Sequence, residues 1–301
     1  MNLKPKFLLL IFVLPFASKS FAQDEDLLKL AGDDKPKKEY VYNAFKAPRV
    51  IMSHSMEMLQ RGVLSFVILH RFDPVSGGAY EFFGLDGASS RLALDYGINN
   101  DLSVGAGRSS TKEFDAFIKY RLIHQSNGTK SFPFSLVGVA GTVASLREFP
   151  HDQQTHNFSD RWNYYWQAII GRKFSEAFTL QIMPIVLHRN KIDTTGDRND
   201  LFAPGIGGRI KLSKRVSFNF DYYYVIHQDK GIYPYETHLY NPLSIGFDIE
   251  TGGHVFQLHF SNSKGMNERS FLAATQYDWG KGEICFGFNI SRAFQVGKKK
   301  G

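Results

Sequence analysis

Residues 283–294 read EICFGFNISRAF. Ile284, Phe286, Phe288, Ile290 and Phe294 fall on one parity, with Arg292 the single break. Glu283, Cys285, Gly287, Asn289, Ser291 and Ala293 fall on the other. Successive side chains of a β-strand point to opposite faces, so this is a strand with one large apolar face and one small or polar face. In a water-soluble sandwich the apolar face would be core. In a membrane barrel it meets lipid, and the small polar face lines the lumen.

The same period-2 pattern recurs upstream. Leu64, Phe66 and Ile68 alternate with Ser65. Leu92, Leu94, Tyr96 and Ile98 oppose Arg91, Ala93, Asp95 and Gly97. Phe114, Ala116, Ile118, Tyr120 and Leu122 oppose Asp115, Lys119 and Arg121. Trp162 to Ile170, Val216 to Tyr224 and Leu243 to Ile249 repeat it, while 102–109, 133–145, 178–188, 202–212 and 254–262 read as strands with weaker alternation. That makes about twelve strands, each near the length that a tilted membrane strand needs. Their connections alternate. Short turns near 99–101, 126–128, 175–177, 213–215 and 251–253 separate longer polar loops at 73–88, 147–161, 189–200, 227–241 and 263–281, with only the link near 109–112 breaking the rule. Short turns on one side, long loops on the other and an even strand count are the pattern of an outer-membrane barrel. The expected fold is therefore an all-β, antiparallel, up-and-down transmembrane barrel.

The N-terminus fits export. Lys4 and Lys6 precede the apolar run Phe7 to Phe16, and Ser20-Phe21-Ala22 supplies small residues at a cleavage site, so residues 1–22 read as a signal peptide cleaved after Ala22. Residues 23–60 are expected to be a periplasmic tail and docking segment, 61–294 the barrel and 295–301 a basic tail. The chain has 43% hydrophobic and 15% aromatic residues, and the single cysteine, Cys285, excludes an internal disulfide. The formal charge of +7 less Lys4, Lys6 and Lys19 leaves +4, which gives no reason to expect a nucleic-acid partner.

Three stretches carry a resemblance: FFGLDGASSRLALDYGINNDLSVGAGRS (82–109), GGRIKLSKRVSFN (207–219), and GFDIETGGHVFQLHFSNS (246–263) with DWGKGEICFGFNISRAF (278–294). They resemble an uncharacterised bacterial family of outer-membrane β-barrel-like proteins, a domain of unknown function. The resemblance implies a barrel in the cell outer membrane and no activity. The chain is also similar to outer-membrane barrels generally, whose last strand ends in an aromatic read by the insertion machinery. Phe294 fits that role, although seven residues follow it.

The inward parity collects charges at Arg71, Arg91, Asp95, Asp115, Lys119, Arg121, Arg209, Lys211, Asp221, Asp248, Glu250 and Glu283. They can set the selectivity of a pore or pair with one another and fill a narrow lumen. Both signs occur in nearly equal number, so no ion preference follows. Small inward residues (Ala93, Gly97, Gly207, Gly246, Gly287, Ser291) suggest room for water. His151, Asp152 and His156 share a loop but lack a third fixed ligand, so no metal or other cofactor is expected. No G-x-S-x-G elbow is present and no catalytic residue is expected. Tyr233 and Tyr235, in the loop GIYPY, are candidates for external binding. The expected function is a pore for small polar solutes or an envelope scaffold. The expected partners are outer-membrane lipid, the insertion machinery, a periplasmic protein and a small polar solute. The alternatives are a soluble periplasmic β-sandwich that binds a ligand and an outer-membrane hydrolase.

Overall fold

A computed structural model describes residues 37–148, 157–192, 198–226 and 239–297. Within them the chain forms twelve antiparallel strands: β1 (Val63–Pro74), β2 (Ala88–Gly97), β3 (Leu102–Ser109), β4 (Glu113–Ile123), β5 (Ser135–Ser145), β6 (Trp162–Lys173), β7 (Phe178–Ile182, resuming at Ile185–Arg189), β8 (Asp200–Ala203, resuming at Gly205–Lys211), β9 (Val216–Tyr223), β10 (Leu243–Thr251), β11 (His254–Ser261) and β12 (Cys285–Gln295). The interruptions in β7 and β8 fall at Pro184 and Pro204, which have no N–H to give a neighbour. The ladder crosses both breaks, because Met183 N–H donates to the Gly205 carbonyl at 2.8 Å and Ala168 N–H to the Pro184 carbonyl at 3.0 Å.

Each strand pairs with its sequence neighbours, and β12 closes the ring on β1, with Gln295 opposite Val63 and Ile290 opposite Ile68. Closure leaves no strand edge, which is what a sheet in hydrocarbon requires. The tightest connection, between β10 and β11, is Gly252-Gly253 with Thr251 paired to His254. Both glycines have positive φ, 51° and 87°, the backbone of a two-residue hairpin turn that a side chain would strain.

The alternation sorts the side chains as expected. Leu92, Leu94, Ile118, Trp166 and Phe260 are exposed on the outer wall, while Ser65, Arg91, Asp115, Asn219 and Gln257 are buried inside. One connection departs from the short-turn rule. The link 124–134 is longer than expected, and its Ser126–Asn127 pairs with Glu39–Tyr40, tying the N-terminal segment to the short-turn end.

Candidate functional site

The lumen is not an open channel. Residues 44–58, expected to belong to a periplasmic docking segment, fold as a hairpin inside the barrel. Ala44, Phe45, Val50, Ile51, Met52, Met56 and Met58 are all buried, as are Ser53, His54 and Ser55. Val50 N–H donates to the Ser53 carbonyl at 2.9 Å and Ser55 N–H to the Pro48 carbonyl at 2.9 Å, which makes Val50 to Ser53 the tip. The reason lies in the sequence. The segment carries Val50-Ile51-Met52, Met56 and Met58 and would expose this apolar surface if it stood in water.

A buried extended segment must still satisfy its backbone groups, and inward side chains of the wall do so. Met52 N–H, Ser53 N–H and the Ser53 hydroxyl donate to one carboxylate oxygen of Asp221, at 2.9, 3.0 and 3.0 Å. Gln257 Nε2 donates to the Val50 carbonyl at 2.7 Å and Asn289 Nδ2 to the Ile51 carbonyl at 2.9 Å. Lower in the barrel, Gln181 accepts from Met56 N–H and donates to the His54 carbonyl, both at 2.9 Å. Lys119 Nζ donates to the Glu57 carbonyl at 2.6 Å, and Arg209 Nη1 to the Ala44 carbonyl at 3.2 Å.

A second insert comes from the long-loop end. The connection between β11 and β12 carries a short helix, α1 (Glu268–Ala273), whose Asn267 cap accepts from Ser270 N–H at 2.9 Å. Glu113, at the start of β4, holds it by accepting from Asn267, Arg269 and Ser270 at 2.9, 3.1 and 2.7 Å. The two inserts meet at Glu268, which lies 3.2 Å from Arg49 Nη1 and 3.4 Å from His54 Nε2. Phe271 packs on the Tyr223 ring at 5.4 Å between centroids. One enclosed cavity beside Arg49, Asp95, Gln257 and Asn289 holds about 10 Å³, the scale of one water molecule. Asp95 lines this space, and its Oδ1 has no hydrogen-bond partner among the described residues.

The predicted lumen charges therefore divide. Arg91 and Asp115 pair on the wall, with Arg91 Nε donating to Asp115 Oδ1 at 2.7 Å. Lys119, Arg209 and Asp221 hold the hairpin, and Asp248 accepts from Gln257 at 2.9 Å. Arg121 lies at the short-turn end, 3.2 Å from Asp101. Lys211 is half-buried at the end of β8. Glu283 is a correction: it precedes β12 in the loop and accepts from Asp278 N–H at 2.9 Å, so it does not line the lumen. The small inward residues also differ from expectation. A side chain at Gly207 would meet Met183 and Val50, and one at Gly287 would meet His259 and Arg71, so these positions admit bulky neighbours and leave no room for a water column. Phe294 stands exposed on the outer wall with the Arg292 guanidinium 4.8 Å from its ring centroid. Tyr233, Tyr235, His151, Asp152, His156 and the proposed signal peptide lie outside the described residues.

Comparison with known proteins agrees with the barrel fold. A family described as a membrane bound beta barrel domain (DUF5777) matches residues 45–294. The chain belongs to this family. The match begins at Phe45, so the family's unit includes the hairpin as well as the twelve strands. No curated protein matches the sequence. Among solved structures, the NanC porin is similar at a TM-score of 0.50 and 10% identity, over 76% of this chain and 98% of that one. The KdgM porin gives 0.48 and 7%, over 76% and 99%. An outer membrane channel from Pseudomonas putida F1 gives 0.45 and 12%, over 80% and 98%. At this identity the likeness to the NanC porin concerns the barrel fold alone.

Proposed function

We propose that this DUF5777 barrel is an outer-membrane channel for small polar solutes, closed in the state described by its own N-terminal hairpin. The observation that carries the reading is how the hairpin is held. Its backbone is held by side chain to backbone hydrogen bonds from Asp221, Gln257, Asn289, Lys119 and Gln181, which stand on five different strands of the wall. These polar groups can be satisfied by water if the hairpin withdraws. A scaffold role is the second reading, favoured by the filled lumen itself. Neither reading involves catalysis. Export by cleavage after Ala22 and use of Phe294 by the insertion machinery belong to the same reading.

The test is conductance of the purified protein in a planar bilayer. The wild type is expected to be closed with rare openings. Asp221→Asn removes the charge that accepts three donors at the tip, and hydrogen bonds to a charged group contribute about 1.5–3 kcal/mol each. The variant should open at least about tenfold more often. If both proteins are silent at every voltage, the scaffold reading replaces the channel.

A further inference from the structure

The outer wall carries a groove of about 560 Å³ across β4 to β8. The register shows how it forms. Tyr120, Gly138, Ala168 and Pro184 stand at one level on adjacent strands, since Tyr120 pairs with Gly138, Gly138 with Ala168, and Ala168 N–H bonds to Pro184. Three small or flat residues on three adjacent strands leave a trough two strand spacings across, roughly 10 Å. The next level, Ile118, Ala140, Trp166 and Val186, forms one rim, with Trp166 exposed over it.

The floor is not dictated by packing within the barrel. A Cβ added at Gly138 meets only Leu122 Cδ1, at an ordinary 3.7 Å. An unfilled trough in a lipid-facing wall forfeits van der Waals contacts, and water is not available in hydrocarbon to fill it. Its occupant must therefore be apolar. On the same outward face of β6, two outward positions beyond Ala168 toward the short-turn end, stands Arg172, about 13 Å along the strand. Arg172 is exposed and has no ion pair among the described residues. Its guanidinium lies 5.1 Å from the Phe174 ring centroid.

We propose that the groove binds one acyl chain of a phospholipid from the leaflet on the short-turn side, with Arg172 meeting its phosphate. The occupant follows from the apolar trough and the unpaired cation placed toward the headgroup region. The proposal rests on the membrane-bound barrel and is independent of channel activity.

The test is native mass spectrometry of the purified full-length mature protein, released from a nonionic detergent and titrated with a di-palmitoyl phosphatidylglycerol. The wild type should retain one phospholipid. Gly138→Leu fills the floor and should weaken retention at least about tenfold, and Arg172→Gln should weaken it for the anionic lipid while leaving the outer-wall shape unchanged. Heat-modifiable migration on gels reports that each variant is folded. Equal retention by wild type and folded Gly138→Leu overturns the proposal. So does a wild-type dimer that Gly138→Leu splits, because a second copy would then be the occupant.

Discussion

Arg91 and Asp115 are legible as inward charges from parity alone, because each stands among large apolar residues of opposite parity. That they choose each other is not legible. It depends on the register that sets Arg91 opposite Ser109 and Asp115 opposite Gly107, with bare Gly107 giving the Arg91 guanidinium its path across β3. Both side chains are almost fully buried. Removing one partner of such a pair costs about 3–5 kcal/mol, whereas replacing both with apolar residues is often neutral. Arg91→Met should therefore lower the urea midpoint of unfolding strongly, and Arg91→Met with Asp115→Leu should recover most of the loss. A second residue, His124, bears on the N-terminal segment from the short-turn end. Its Nε2 stands 2.8 Å from both the Val41 carbonyl and Arg121 Nη1, and its ring stacks on Tyr40 at 4.8 Å. Burial, and then the Arg121 charge, lower its pKa below the ordinary imidazole value. The folded state thus takes up its proton later than the free segment does. Stability of the tie is full above the ordinary histidine pKa of about 6.5 and declines as pH falls below it. Protection of the Val41 amide against hydrogen exchange, corrected for intrinsic rate, should drop between pH 7.5 and 5.5. In His124→Gln it should stay flat.

Most of the elements that read poorly in the sequence do so for one physical reason. The strands near 133–145, 178–188 and 202–212 have weak alternation because their inward face is apolar too. Val137, Val139, Val143, Ile185, Leu187, Leu201 and Ala203 share one buried apolar cluster with Val50, Ile51, Met52 and Met56 of the hairpin and Phe271 and Leu272 of α1. Period-2 logic identifies one lipid face and assumes a wet lumen, so it cannot anticipate an apolar patch inside. Alternation is clean where the inward face is polar or small, as on β2, β4, β10 and β12, while β3 and β11 also alternate weakly in sequence and have no apolar hairpin contact to account for it. Segment 44–58 failed for the complementary reason: it is extended without a sheet partner, and its hydrogen bonds go to side chains far away in sequence. Loop asymmetry, by contrast, was legible and gives a topology test. In a Cys285→Ser background, Tyr80→Cys and Phe158→Cys, both in long connections and 94% and 73% exposed, should react with a membrane-impermeant thiol reagent on intact cells. Asn100→Cys and Gly252→Cys should not. Met52→Cys, at the buried tip, should stay unreactive from either side. Labelling at Gly252 with none at Tyr80 would turn the barrel over.

For the molecule as a whole, barrel and hairpin are held by different forces, and this separates their fates. The barrel is a closed ladder of backbone bonds from β1 round to β12 and needs nothing from the lumen to close. The hairpin adds an apolar cluster, mostly with β5 to β8, and polar anchors from β4, β7 to β9, β11 and β12. Take it away and the anchors are left facing a space that connects to the solvent, so water replaces the lost donors and acceptors. The apolar patch gets no such replacement, and each buried Val, Ile or Met side chain returned to water costs about 1.5–3 kcal/mol. A mature chain lacking residues 41–58 should therefore still migrate as a heat-modifiable barrel with its strand signature in circular dichroism, but should unfold at a lower temperature than the wild type. It should also show long-lived conducting steps in a planar bilayer where the wild type is closed. A deletion that unfolds the barrel would mean that the hairpin is part of its core and not a plug. A folded deletion that stays silent would mean that α1, anchored to Glu113, closes the lumen by itself, and adding Glu113→Gln to the deletion should then open it.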